Sequence, residues 1–366
     1  MRPLRKIGFL LEEISATSPG QQLLDRFLIG YPKDGSFHTP ERTTVSAYLM
    51  LGSNESDFGK REDDFDLIIA PNATQAVAGA DAVVVVSRKP GALANDRFLQ
   101  IALEGAATGA GCFVHGVLSN TLEQARNHLR LARSRGIRLL AGTPVCLTWR
   151  LPQVDLPQGT PLTDALVVVQ GAFPGAELSA LEGLLPVIER RRGGESGVRS
   201  LRFLEGKALW RAGEKGLWSR TLLASALSRS HTPQGDAVVD GRTQDLVGLG
   251  LVPKLAQAPR GWILEHQDGL RSAILVLDGV VADFNFAVLS AQGATVSAQL
   301  FRAPPPAEHH YSRLTAAIED FFRGGKAPWA VERNLLIAGL LETLSRPATR
   351  SGGNVETPWL NVAYQG

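Results

Sequence analysis

At 366 residues, with 44% apolar and 20% charged side chains, the chain is long for one hydrophobic core and sufficient for two. Its 38 basic and 36 acidic residues leave a formal charge of +2, which supplies no general attraction to nucleic acid or to an anionic membrane. Two cysteines, Cys112 and Cys146, cannot make a disulfide framework. The apolar run before Glu12 is too short for a signal peptide, and no run reaches membrane-spanning length. A reduced, cytoplasmic protein with no nucleic-acid or membrane partner is expected.

In chain order, Lys6 to Leu11 predicts a strand. Ser18 and Pro19 then cap and open a helix that Gly30 stops. The turn between them, Glu12 to Gly20, has no G-x-G-x-x-G pattern and carries two carboxylates, Glu12 and Glu13. Glycines there let backbone approach a pyrophosphate and anions repel it, so the turn argues against ordinary dinucleotide binding. A polar loop over 31–42 leads to a strand over 44–51. A charged helix over 56–65, a short strand over 67–70 and a helical turn over 72–78 follow.

Asp81 to Thr143 has the clearest periods. Asp81 to Ser87 (DAVVVVS) is a continuous β-branched run, the pattern of a parallel strand covered on both faces. Phe98, Ile101, Ala102 and Gly105 recur at helical spacing, Cys112 to His115 predicts a strand, and Thr121 with Gln124 caps a helix that Gly136 ends. Ile137 to Ala141 is the next strand. Strands and helices alternating at these lengths require right-handed crossovers and hence a doubly wound, Rossmann-like parallel sheet. Ligands of such sheets bind at the carboxyl ends of the strands, which lines up Ser87, Arg88, Lys89 and Pro90 with His115, Gly116, Val117 and Thr143.

After Thr143 a proline-rich polar stretch reads as a domain crossing, dividing the chain into 1–148 and 149–366. The second part predicts a strand over 165–170, a helix over 176–192, and hairpins turning at Glu205-Gly206 and Asp268-Gly269, with a further turn at Asp278-Gly279. A helix over 217–228, two more over 312–323 and 331–344, and an extended tail complete an α+β domain with a largely antiparallel open sheet. Its strands carry more apolar positions than strict alternation needs. A homo-oligomer formed through that sheet is therefore expected.

Two stretches resemble the Gfo/Idh/MocA oxidoreductases. His115 to Gly142 (HGVLSNTLEQARNHLRLARSRGIRLLAG) is similar to the family's Glu-Lys-Pro segment with its following helix and strand. Gly325 to Pro358 is similar to its C-terminal helix and tail. The resemblance implies a carbohydrate, polyol or sugar-acid ligand and a nicotinamide cofactor, NAD or NADP, lying along Glu12, Ser15, Ser18, Ser87, Arg88, Pro90 and His115. The sequence departs from the pattern where His115-Gly116-Val117 stands for Glu-Lys-Pro, replacing the lysine with glycine. A cofactor-free sugar lyase, isomerase or hydrolase, or a silent binding subunit on the same scaffold, stays open beside the oxidoreductase.

With lysine gone, histidine is the best remaining proton carrier, because its unperturbed pKa lies near neutrality. His115 is the first candidate, and a strand-end histidine satisfied by backbone is its structural alternative. His266 and Asp268 flank a turn, where Asp before Gly serves the turn itself. His309 and His310 point apart on extended chain and lack metal-ligand spacing, so no metal is expected. Trp149 and Arg150 offer a stacking face and an anion clamp, or simple packing.

Overall fold

The computed structural model describes residues 3–40, 43–50, 55–87, 96–232, 234, 238–239, 242–243 and 245–366. The chain divides into two compact units, residues 1–147 with 302–338 and residues 148–301 with 339–366. Residues 302–338 thus belong to the first unit, not to the second as the division at 148 expects. The reason is apolar cover: Leu314, Ile318, Phe321, Phe322 and Trp329 join the core built on Phe9, Phe27, Val84 and Phe113.

The first unit runs β1 (Lys6–Leu11), α1 (Pro19–Leu28), β2 (Tyr31–Lys33), β3 (Ser36–His38), β4 (Thr44–Leu49), α2 (Glu55–Phe65), β5 (Ile68–Ile69), α3 (Ala73–Val77), β6 (Ala82–Val86), α4 (Asp96–Gly105), β7 (Gly111–His115), α5 (Leu122–Ser134) and β8 (Arg138–Gly142). Six strands form one parallel sheet in the order β5-β4-β1-β6-β7-β8. The doubly wound sheet expected from the apolar runs is present, and β6 is buried along its whole length. Ser18, Asn72 and Thr121 cap α1, α3 and α5 by accepting the backbone N–H three residues on. Gly8 lets α3 approach β1, since a Cβ there would lie 2.8 Å from the Ala76 carbonyl oxygen. The expected loop over 31–42 contains the β2–β3 hairpin, which is tied to the sheet unit by Tyr31 donating to Glu319 Oε2 at 2.8 Å.

The second unit holds β9 (Trp149–Leu151), β10 (Leu162–Val169), α6 (Gly175–Ile188), β11 (Val198–Glu205), α7 (Gly206–Glu214), α8 (Arg220–Leu227), β12 (Val238–Val239), β13 (Arg242–Thr243), α9 (Val252–Leu255), β14 (Gln257–His266), β15 (Arg271–Asp278), β16 (Phe284–Ser290) and β17 (Thr295–Phe301). Helix α10 (His310–Phe322) lies in the first unit, α11 (Glu332–Ser345) runs from the first into the second, and β18 (Asn354–Glu356) closes the second. The large sheet has the order β18-β11-β14-β15-β10-β16-β17-β9 and is antiparallel except for β10 beside β15.

Glu205-Gly206 is not a hairpin turn, because Leu209, Ala212 and Gly213 lie on the inner face of α7 and pack toward Trp218. The Asp278-Gly279 turn joins β15 to a strand that pairs elsewhere, with β10 and β17. The sheet is open, as expected, with β18 and β9 at its edges; α7, α8 and α9 cover the face carrying Leu166, Ile263 and Leu275, while α6, buried nearly all round, packs on β10, β15 and β16 outside that cluster. Much of the apolar surplus in these strands is buried within the chain beneath these helices. No helix among the described residues is long and apolar enough to cross a membrane.

Candidate functional site

The carboxyl edge of the parallel sheet begins at Glu12, whose N–H donates to the Val86 carbonyl at 3.2 Å and so fixes the first turn against β6. Within the turn the side chains satisfy the backbone. Ser18 Oγ accepts from Ser15 N at 3.0 Å and from Gln21 N at 3.2 Å, Gln21 Oε1 accepts from Thr17 N at 2.8 Å, and Ser15 Oγ donates to Glu13 Oε1 at 2.9 Å. Gly20 does the close-packing work that a fingerprint glycine does elsewhere: a Cβ would sit 2.5 Å from the Glu13 carbonyl oxygen. Thr17 pays for the turn with a φ of 65°, a left-handed conformation costly for a β-branched residue.

Beside this turn lies a cleft of about 270 Å³. Ile14, Ser15 and Ala16 form one wall, Gln21 and Asp25 of α1 the floor, and Lys60, Arg61, Asp64 and Phe65 of α2 the other wall. Asp25 holds Arg61 through two contacts, at 2.6 and 2.9 Å, so the wall is braced.

His115 ends β7 and is only 2% exposed. Burial pushes its pKa down to about 4, because a cationic imidazole is costly away from water. It is therefore neutral at physiological pH. Its Nε2 is hydrogen-bonded to the Tyr311 hydroxyl over 3.4 Å with the rings stacked, and the Arg26 guanidinium also lies against the Tyr311 ring, 5.9 Å from its centroid. Burial raises the Tyr311 pKa, so the phenol keeps its proton. Next to His115, the loop 116–118 is held by Asn334 of α11, which donates to Gly116 O at 2.8 Å and accepts from Leu118 N at 2.7 Å. Thr143, just past β8, has a buried Oγ1 with no hydrogen-bond partner, and Ser87 is buried at the end of β6.

Of the residues expected along this edge, Glu12, Ser15, Ser18, Ser87 and His115 are placed on it. Arg88 and Pro90 lie outside the described residues. Tyr311 and Asn334 were not legible as site residues. The only signal for Asn334 was an amide inside the apolar run of a helix.

His266 and Asp268 are in the second unit, in a network of their own. His266 is 1% exposed, with Nδ1 2.9 Å from Glu195 Oε1 and Nε2 2.9 Å from Ser272 Oγ. The order Ser272, His266, Glu195 is that of a nucleophile, base and orienting acid. All three are buried, however, and Glu195 is also held by Arg191 at 3.0 Å and by the N–H groups of Ser196 and Gly197. Burial raises the Glu195 pKa, but His266 and Arg191 outweigh it and bring it down to about 2. Asp268 accepts from Arg191 Nε at 2.7 Å and from the Leu270 N–H at 3.4 Å. Both ring nitrogens of His266 are thus committed, and the pair belongs to the packing of the β14–β15 hairpin. Trp149 packs on Phe301, and Arg150 pairs with Asp155. His309 precedes α10, and His310 is buried, its pKa lowered to about 4 by burial and by Arg302 and Arg26. Among the described residues no group of three or more His, Cys, Asp or Glu side chains could hold a metal ion.

The sequence matches no protein-family model and no curated protein. Solved structures do match. Myo-inositol dehydrogenase from Lactobacillus casei, in complex with NAD(H) and myo-inositol, superposes with a TM-score of 0.57 at 13% identity, covering 100% of this chain and 99% of that one. GenD2 from gentamicin A biosynthesis, in complex with NAD, gives 0.60 at 12% identity over 98% and 97%. UDP-N-acetylglucosamine 3-dehydrogenase GnnA from Acidithiobacillus ferrooxidans gives 0.52 at 13% over 96% and 100%. With its parallel six-stranded sheet followed by a mixed, mostly antiparallel one, the chain has the two-domain fold of the Gfo/Idh/MocA dehydrogenases.

Proposed function

We propose that the protein is an oxidoreductase that binds a nicotinamide dinucleotide, NAD or NADP, along the carboxyl edge of its parallel sheet and acts on a carbohydrate, polyol or sugar acid. The observation that carries this reading is the cleft between the first turn and α2, at the edge where doubly wound sheets take nucleotides. The structural neighbours that span nearly the whole chain support it, since two of them hold NAD or NAD(H) and one also myo-inositol.

The cleft suits an adenosine half, with Phe65 as an apolar wall and Ser15 as a hydrogen-bonding group. The pyrophosphate would lie over the Ser15–Ser18 turn, where it has to compete with Ser18 Oγ and Gln21 Oε1 for the backbone N–H groups. The bound cofactor would supply the hydride acceptor. His115 is neutral above about pH 4, and its Nε2 could take the proton a hydroxyl releases as hydride leaves once the Tyr311 hydroxyl that now donates to it turns away.

Calorimetric titration of the purified protein with NAD(H) and NADP(H) tests the reading. Saturable binding that weakens when Ser87 is replaced by a bulky residue is the expected result. A folded protein that binds neither would overturn it, leaving a cofactor-free sugar enzyme or a binding subunit on the same scaffold.

A further inference from the structure

Arg26, on α1 in the first unit, is only 8% exposed, and among the described residues no carboxylate pairs with it. Its guanidinium donates to Ser312 Oγ at 3.2 Å, to Gln22 O and Oε1 at 2.8 and 2.5 Å, and to the carbonyls of Ala307 and Glu308 at 2.6 and 3.3 Å. Every acceptor is neutral. A buried cation without a paired anion is expensive, and an apolar side chain of similar volume would fill the same space at less cost. What the guanidinium does that an apolar chain cannot is hold the segment before α10.

That segment needs holding. Helix α10 begins without a side-chain cap, and Glu308, two residues before it, has a φ of 39°, a left-handed conformation that costs a residue with a Cβ about 1 kcal/mol or more. Such strain persists only where the surroundings fix it. Gln22 Nε2 donates to Pro306 O at 2.9 Å, so with Arg26 the inner face of α1 pins three successive carbonyls, of Pro306, Ala307 and Glu308. The Tyr311 N–H donates to the same Glu308 carbonyl at 2.8 Å. Arg26 therefore brackets Tyr311, bonding residue 308 on one side and Ser312 on the other, with its guanidinium 5.9 Å from the centroid of the Tyr311 ring. The contact from the Tyr311 hydroxyl to His115 Nε2 is long, at 3.4 Å, and a small displacement of α10 breaks it.

We propose that Arg26 is a positioning residue, which sets the start of α10 so that Tyr311 stands on His115 Nε2 and ties that contact to α1, the helix that opens on the Ser15–Ser18 turn. The inference rests on the reading of His115 as the proton carrier. A phenol donating to Nε2 leaves the ring proton on Nδ1, so Arg26 selects the His115 tautomer through Tyr311. The other charged or titratable groups around Tyr311 and its neighbour His310 are Glu308, Arg302 and His309.

The test is nitrogen NMR of the full chain with labelled histidine, without cofactor or substrate, between pH 8 and pH 5, the His115 signals being those lost in His115→Asn. The parent shows one neutral His115 tautomer, protonated on Nδ1. In Arg26→Met that single tautomer is lost and His115 titrates about one pH unit higher, as it does in Tyr311→Phe, and the double variant goes no further than either alone. Arg26→Lys keeps the charge without the planar fork and behaves like Arg26→Met. Ser312→Ala, which removes one acceptor of the fork, makes the same comparison if Arg26→Met does not fold. A parent-like His115 signal in these variants would overturn the proposal. Full rescue by lysine would also overturn it, since charge alone would then suffice. A chain that binds neither NAD(H) nor NADP(H) defeats the oxidoreductase reading instead, and the NMR comparison is independent of that result.

Discussion

Asn334 grips the backbone on both sides of Val117, with its amide nitrogen 2.8 Å from Gly116 O and its oxygen 2.7 Å from Leu118 N. One side chain thereby replaces the pairing that a neighbouring strand would give this strand end. Asn334→Ala leaves a buried acceptor and a buried donor without partners, which costs about 2–4 kcal/mol. Asn334→Asp keeps only the acceptor and falls between the two. Urea unfolding of the three proteins measures this; a loss below about 1 kcal/mol in the alanine variant would show that the loop finds other partners.

Acid weakens the protein in two windows with opposite chemical origins. Burial lowers the His115 pKa from its ordinary 6.5 to about 4, so the unfolded chain binds a proton there before the folded one does. That stability is present above pH 6.5 and is lost as pH falls toward about 4, a change on the order of 3 kcal/mol. His310 behaves alike. Glu195, lowered to about 2, contributes above pH 4.5 and loses its contribution as pH falls through about 2. Denaturant midpoints at pH 7 and pH 4.5 should differ, and His115→Asn should shrink the difference; an unchanged difference would count against a buried neutral imidazole.

Thr17 supplies the backbone bend of the first turn at a φ of 65°. Thr17→Gly relaxes it and stabilises the chain by about 1 kcal/mol, read as a raised denaturant midpoint. A lower midpoint would mean that the threonine side chain has a partner worth more than the strain.

Gly116, at a φ of 102°, has no atom within 4 Å of where a Cβ would be. Gly116→Lys therefore meets a backbone cost of about 1–2 kcal/mol but no clash. If the nicotinamide reading holds, the added amine raises polyol oxidation at least about tenfold, while Gly116→Ala does not. Equal rates in the two variants would show that position 116 does not face the reaction.

The Arg191, Glu195 and His266 group is buried and mutually paired. Glu195→Gln leaves Arg191 and His266 without their shared anion and costs about 3–5 kcal/mol. Far smaller loss in thermal or denaturant unfolding would mean that Asp268 takes over.

Local chemistry made most of the first unit legible. Ser18, Asn72 and Thr121 are caps because their side-chain oxygens meet backbone N–H groups three residues on, a relation visible in sequence. The β-branched run at β6 could hardly be anything but a covered strand. Long-range packing was not legible. Glu205-Gly206 has the composition of a hairpin turn, and only the fit of Leu209 and Ala212 beneath Trp218 makes it a helix start. Residues 302–338 return to a sheet whose strands ended long before. The site fared similarly: His115 followed from its place at a strand end, whereas Tyr311 and Asn334 reach it across 196 and 218 positions of sequence.

That return of residues 302–338 has a consequence for how the chain comes into being. As the polypeptide is made, the parallel sheet is complete by Gly142, yet its core lacks Leu314, Ile318, Phe321 and Phe322 until nearly half the chain has followed. A fragment cut after Leu147 would carry every strand of that sheet with an apolar flank bare to water. It should aggregate rather than behave as a free-standing domain, and synthesis of the whole chain must pass through a stage at which that flank needs protection.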